Sequence, residues 1–215
     1  MFFDLKEVED AGLKSSYRQI MSELNEFYGI DWVKNLPKIF FVDSRKQIDQ
    51  LHGSTTERWV IGWIENSNVY VLKNDKMVEE SSHNKYSSSE YIALLKHELS
   101  HCFFNILSDF PAWTPKWLWE GIATYISGQN LFKKKINEFK DFLSFYEQGS
   151  VEGVYKEAGF AVEVLVDSFG KHKLLSLVKN MKKYQSRELF DQAFKNEFGF
   201  LPNYDSFNSL LNDNK

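Results

Sequence analysis

His97-Glu98-Leu99-Ser100-His101 is the segment whose residue types and spacing most directly carry chemistry. Four residues along an α-helix turn through about 400°, so His97 and His101 fall one turn apart on the same face. Two imidazoles placed that way can share one Zn²⁺. Glu98 then lies about 100° around the axis, where its carboxylate can take a proton from water held on the metal. HExxH arises by chance in about one protein of this size in a hundred, so the surroundings matter. Tyr91-Ile92-Ala93-Leu94-Leu95 precedes the motif and Cys102-Phe103-Phe104 follows it, which is the dress of a buried helix.

A catalytic zinc needs three protein ligands and an open fourth position. The candidate third ligand is Glu120, in Trp117-Leu118-Trp119-Glu120-Gly121-Ile122-Ala123-Thr124-Tyr125. A carboxylate buried in so apolar a helix without a partner would cost several kcal/mol, and a neighbouring dication reverses that sign. The alternative is a carboxylate on the solvated face of an amphipathic helix. Thr124, one turn on, reads as a packing residue or as a donor near the metal. The remaining histidines, His52, His83 and His172, have no partner at ligand spacing and read as surface residues. Cys102 is the single cysteine, excludes an internal disulfide and reads as a small buried hydrophobe. Lys133-Lys134-Lys135 reads as a solvated helix face.

The elements that must position these groups follow from periodicity. A helix is expected over about 5–28, with Gly29 as its stop. A buried strand is expected at 38–42, a short helix at 44–51, and strands at 58–64 and 69–72 joined by a turn at 65–68. A polar loop fills 74–89. Ser89 is expected to cap the helix carrying HExxH to about 107. Further helices are expected at 116–127, 130–146, 155–169, 171–182, 186–198 and 203–211, with Gly149 and Gly153 in a loop. Strands first and helices afterwards is an α+β order.

HExxH, eighteen intervening residues, and Trp117-Leu118-x-Glu120-Gly121-x-Ala123-x-Tyr125 together resemble the gluzincin peptidases, in particular the aminopeptidase N family and its peptidase MA-like relatives. The resemblance runs over about 58–199. It implies a thermolysin-like metallopeptidase catalytic fold spanning 1–215 as one domain. An α/β part with an edge strand would occupy 1–88, a helical part 89–215, and zinc the cleft between them. One Zn²⁺ per chain would be held by His97, His101 and Glu120, with Glu98 as general base. Val154-Tyr155-Lys156-Glu157-Ala158-Gly159 is similar to the family's oxyanion-stabilising tyrosine stretch, which implies that role for Tyr155; an aromatic staple is the plain reading of the same residue. Gly62-Trp63-Ile64-Glu65-Asn66 is similar to the substrate-binding Gly-x-Met-Glu-Asn strand, with Ile for Met. That implies substrate contacts by Gly62 and a grip on the substrate's amino terminus by Glu65, although Glu-Asn-Ser-Asn is also ordinary turn chemistry. The large additional domains of the aminopeptidases have no room here, which favours longer peptide or protein substrates.

Composition bounds the rest. With 215 residues, 43% hydrophobic and 26% charged, the chain can bury a sizeable core. Aromatics at 16% imply a bulky core, an aromatic-lined cleft, or both. A net charge of −4 gives no electrostatic reason to expect nucleic acid. No apolar run is long enough to cross a bilayer, and the acidic start lacks a signal-peptide pattern, so a cytoplasmic location is expected unless a leader has been trimmed. The expected activity is zinc-dependent peptide-bond hydrolysis. The alternatives are a non-catalytic zinc scaffold holding a protein partner in the cleft, and a helical binding protein with an accidental HExxH.

Overall fold

Helix α1 (Ala11–Tyr28) starts where the Asp10 carboxylate accepts from the Leu13 N–H, and stops at Gly29, whose φ of 65° only glycine adopts freely. It is therefore shorter than the expected 5–28. The computed structural model describes residues 6–146 and 154–213. The loop assigned to Gly149 and Gly153 lies outside them.

Three short strands, β1 (Ile39–Val42), β2 (Gly62–Glu65) and β3 (Asn68–Leu72), form one sheet in the order β1-β3-β2. β1 runs parallel to β3 and β2 antiparallel to it. Helix α2 (Arg45–His52) makes the crossover after β1. Asn66 and Ser67 have φ of 49° and 59°, the paired positive values of a tight two-residue hairpin, so the expected turn at 65–68 is present. The expected strand at 58–64 begins only at Gly62. Upstream, the Arg45 guanidinium takes the carbonyls of Arg58 and Val60, so a side chain replaces the sheet partner there.

The expected polar loop at 74–89 contains a 3₁₀ turn (Asn74–Lys76) and a single helical turn, α3 (Met77–Glu80), pinned by the buried Met77. Ser87 then caps α4 (Ser88–Leu107), with Glu90 returning a bond to the Ser87 N–H. The cap is two residues earlier than expected. Helix α5 (Lys116–Ile126) follows Pro115, and α6 (Val154–Phe169), α7 (Lys171–Lys179), α8 (Arg187–Phe198) and α9 (Tyr204–Asp213) complete the described chain.

The expected helix at 130–146 does not form. Residues 129–146 hold only two 3₁₀ turns, Gln129–Phe132 and Phe142–Ser144. Their backbone groups are claimed from elsewhere: the buried Glu157 carboxylate accepts from the N–H groups of Lys140, Asp141 and Phe142 at 3.0, 2.9 and 3.1 Å. The Asn208 amide pairs with both backbone groups of Phe139. Freed from helical spacing, Phe139 and Phe142 enter an aromatic core around Trp117, which touches Phe142, Phe190, Phe194 and Phe207 edge-on. One apolar cluster links α1, the inner face of the sheet and the later helices. No helix among the described residues is long and apolar enough to cross a membrane.

Candidate metal centre

The middle of α4 is buried all round, sandwiched by α1, the sheet and α5. Lys96 pairs with Glu23 of α1 at 2.6 Å, and the Tyr28 hydroxyl meets Ser100 at 2.7 Å. These contacts fix the rotation of α4. His97 and His101 then face α5 at 4% and 2% exposure, and Glu120, at 2%, faces them in turn.

The three ligand atoms form a nearly equilateral triangle. His97 Nε2 lies 3.2 Å from Glu120 Oε2, His101 Nε2 lies 3.4 Å from the same oxygen, and the two nitrogens are 3.1 Å apart. A tetrahedral zinc with bonds of about 2.0–2.1 Å separates its ligands by about 3.3–3.4 Å. Imidazole protons cannot satisfy all three edges, because each N–H points along one direction and the carboxylate supplies none. A cation at the centre satisfies them together. This is the only such His, Cys, Asp or Glu group among the described residues. The residues present therefore fit a zinc ion.

The electrostatics agree with that use. Burial pushes His101 down to about 4, which keeps its lone pair free for a metal. For Glu120 burial opposes ionisation, but hydrogen bonds from His101 and His97 outweigh it and hold the carboxyl well below its usual range. Lys116, one turn earlier on α5, binds the other oxygen, Oε1, at 3.2 Å and leaves Oε2 to the histidines. The Lys116 ammonium also sits 4.0 Å over the Trp119 ring, and Trp119 stacks on His101 with centroids 3.5 Å apart. Both Nδ1 atoms are buried without a partner among the described residues, so this stack, rather than a hydrogen bond, orients His101.

Glu98 opens onto a cleft of about 490 Å³ lined also by Gly62, His97, Lys133 and Tyr155. Burial raises its pKa to about 7. Gly62 of β2 lies directly over it: a Cβ there would come within 2.7 Å of Glu98 Oε1. Tyr155 stands in the first turn of α6, its ring centroid 6.1 Å from that of His97. Burial and the Glu120 and Glu98 carboxylates push its pKa well up, so it keeps its proton as a donor. It is brought there by close packing of α5 on α6. A Cβ on Gly121 would fall 2.6 Å from the Ala158 carbonyl, and one on Gly159 would strike Thr124. Thr124 is thus a packing residue, fully buried with its hydroxyl unpaired among the described residues.

The chain is similar to aminopeptidase M1 of Arabidopsis thaliana, at 24% identity over an alignment 148 positions long. The alignment covers 61% of this chain and 16% of that protein. No family model matches the chain, and neither does any solved structure.

The structure brings together His97, His101, Glu120, Glu98, Tyr155 and Gly62. It does not bring Glu65 to them. Glu65 is exposed at the end of β2, and strand alternation puts it on the same face as Trp63, opposite the face on which Gly62 meets Glu98. Trp63 and Tyr70 stack on that outer face, flanked by Phe40 and His52. His83 lines the cleft edge-on to Tyr86, and burial lowers its pKa. Cys102 is buried and its thiol is pushed up to about 12, as a packing residue would be.

Lys116, Trp119 and Lys133 were not legible as site residues. The spacing of Lys116 to Glu120 carried the signal for the first, since i and i+4 meet on a helix. The run Lys133-Lys134-Lys135 reads from sequence as a solvated helix face. In the structure Lys133 belongs to no helix, and its ammonium donates to the Tyr155 carbonyl at 2.7 Å inside the cleft.

Proposed function

We propose that this protein is a zinc-dependent peptidase with a thermolysin-like catalytic arrangement, acting on peptide or protein substrates. The observation that carries the reading is the triangle of 3.1–3.4 Å formed by His97, His101 and Glu120, with the Glu98 carboxylate beside it facing a cleft. The partial likeness to an aminopeptidase supports it.

Bound zinc supplies Lewis acidity and lowers the pKa of water at the open position. Glu98, whose carboxylate faces the cleft beside the ligand triangle, accepts the proton of the attacking water and returns one to the leaving amine. Tyr155 donates its O–H to the developing oxyanion, a contact typically worth about 3–4 kcal/mol. Lys116 holds Glu120 to one coordinating oxygen. Strand β2 is the edge of the sheet, and its free side pairs with an extended substrate through backbone hydrogen bonds. The Gly62 position brings that strand close over the base. The grip on a free amino terminus expected of Glu65 is not carried into this mechanism, because the side chain belongs to the outer face.

The test is metal analysis together with peptide cleavage for the wild type and Glu98→Gln. About one zinc per chain in both, with turnover lost only in the variant, is the expected result. Zinc binding with no peptide cleavage by the wild type would leave the scaffold reading in place. Absence of zinc would remove both. Matched peptides with free and acylated amines then distinguish amino-terminal from internal cleavage.

A further inference from the structure

Among the described residues lining the cleft, Lys133 is the one Lys or Arg, it stands beside Tyr155, and its surroundings do not use it up. An ammonium offers three N–H donors. One goes to the Tyr155 carbonyl at 2.7 Å, and among the described residues no carboxylate forms an ion pair with it. The acidic residues lining the same cleft are engaged elsewhere. Glu90 closes the capping box of α4 by accepting from the Ser87 N–H at 2.8 Å, and Glu98 is the proposed base. Lys134 and Lys135 follow on the exposed surface and do not line the cleft, so Lys133 alone of the three faces an incoming ligand. A partly buried ammonium with one of its three donors engaged by the protein is costly to maintain, and an incoming anion would relieve that cost. The carbonyl it holds belongs to Tyr155, whose ring flanks His97, so an anion bound there lies within a residue or two of the reacting bond.

We infer that Lys133 forms a carboxylate subsite of the cleft, selecting peptides that carry a carboxylate next to the cleaved bond. Two sources supply that chemistry: the carboxyl terminus of a short peptide and an Asp or Glu side chain. The inference rests on the peptidase reading above for its position relative to the cleaved bond.

Three probes separate the possibilities: Phe-Ala-Ala with a free carboxyl terminus, the same tripeptide amidated, and amidated Phe-Ala-Glu. Each is followed for cleavage by the zinc-loaded wild type, and each is titrated calorimetrically onto zinc-loaded Glu98→Gln, which reads binding without turnover. At least one carboxylate-bearing probe is expected to exceed the neutral amide about tenfold or more, in line with a hydrogen bond to a charged group. Whichever of the two exceeds it identifies the source. Lys133→Met is expected to bring the ratio to near one, and Lys133→Arg to retain a preference; zinc content and melting temperature confirm that each variant is folded, with Lys133→Gln as substitute if Met is not tolerated. Discrimination in binding without any cleavage would sink the peptidase reading and keep the subsite. Cleavage with equal ratios for all three probes would overturn the subsite alone. A preference that survives in a folded, zinc-loaded Lys133→Met would overturn it as well.

Discussion

Replacing Gly62 by alanine separates the position of the proposed base, Glu98, from the integrity of the fold. The added Cβ would lie 2.7 Å from Glu98 Oε1 and 3.1 Å from its Cδ and Cγ, and no other residue is among its three nearest contacts. Ordinary contact begins near 3.4 Å, so the carboxylate or the strand must retreat by about 0.7 Å. A carboxylate at the end of a side chain can do that cheaply. Alanine also suits a strand better than glycine by roughly 0.5–1 kcal/mol, which offsets the residual crowding. His97, His101 and Glu120 are untouched, so zinc stoichiometry should not change. Catalysis is less forgiving: a displacement of about 1 Å can cost a hundredfold, so kcat/KM should fall about 10- to 100-fold. Peptide turnover, zinc analysis and a thermal melt on the same preparation check this. Turnover within about twofold of wild type would refute the placement of Glu98 under β2. Loss of zinc would refute the claim that Gly62 acts on the base alone.

Tyr155→Phe removes one donor to the oxyanion and should lower kcat about 10²- to 10³-fold with zinc content unchanged, read by steady-state kinetics. In the metal-free protein, Glu98 has a folded pKa of about 7 against an ordinary 4.5. Its raised value favours the protonated fold, so the stability it contributes is present below about pH 4.5 and is lost as pH rises through 7. Metal-free Glu98→Gln should therefore melt above metal-free wild type at pH 8, by an amount on the order of 3 kcal/mol at most, and the gap should close near pH 4.5. Gly121→Ala drives a methyl against the Ala158 carbonyl, backbone that cannot swing aside. A loss of about 1–3 kcal/mol in a denaturant titration is expected, together with lower activity as Tyr155 moves with α6.

The candidate ligand set was legible because helix geometry is local. HExxH fixes two imidazoles on one face wherever the helix lies, and Glu120 was conspicuous as a carboxylate in an apolar run. Local signals also placed the hairpin at 65–68 and the glycine stop of α1. At Glu65 the residue pattern and the family resemblance read differently, and the register sets the side chain on the face away from Glu98. The sheet alternates strictly from Gly62, so a glycine facing Glu98 forces the residue three positions on to the opposite face.

What sequence periodicity could not supply is the segment between α5 and α6. Ile136, Phe139, Phe142 and Tyr146 recur at spacings of three and four, which is the signature of a helix, yet Phe139, Phe142 and Tyr146 are placed by contacts made far along the chain. Glu157 and Asn208 satisfy backbone groups that a helix would have satisfied within itself, and tertiary hydrogen bonds of that kind leave no local pattern. The consequence reaches the site. A helix through 130–146 would carry Lys133, Lys134 and Lys135 around its surface in successive 100° steps. An irregular segment lets the first of them turn inward alone, to the Tyr155 carbonyl, while the next two stay in solvent. Glu157, two residues after Tyr155 on α6, thus orders the loop whose beginning reaches back to that same turn of helix. The donor expected at the oxyanion and the cation expected to select the substrate are therefore positioned by one packing arrangement, and a change at Glu157 should disturb both.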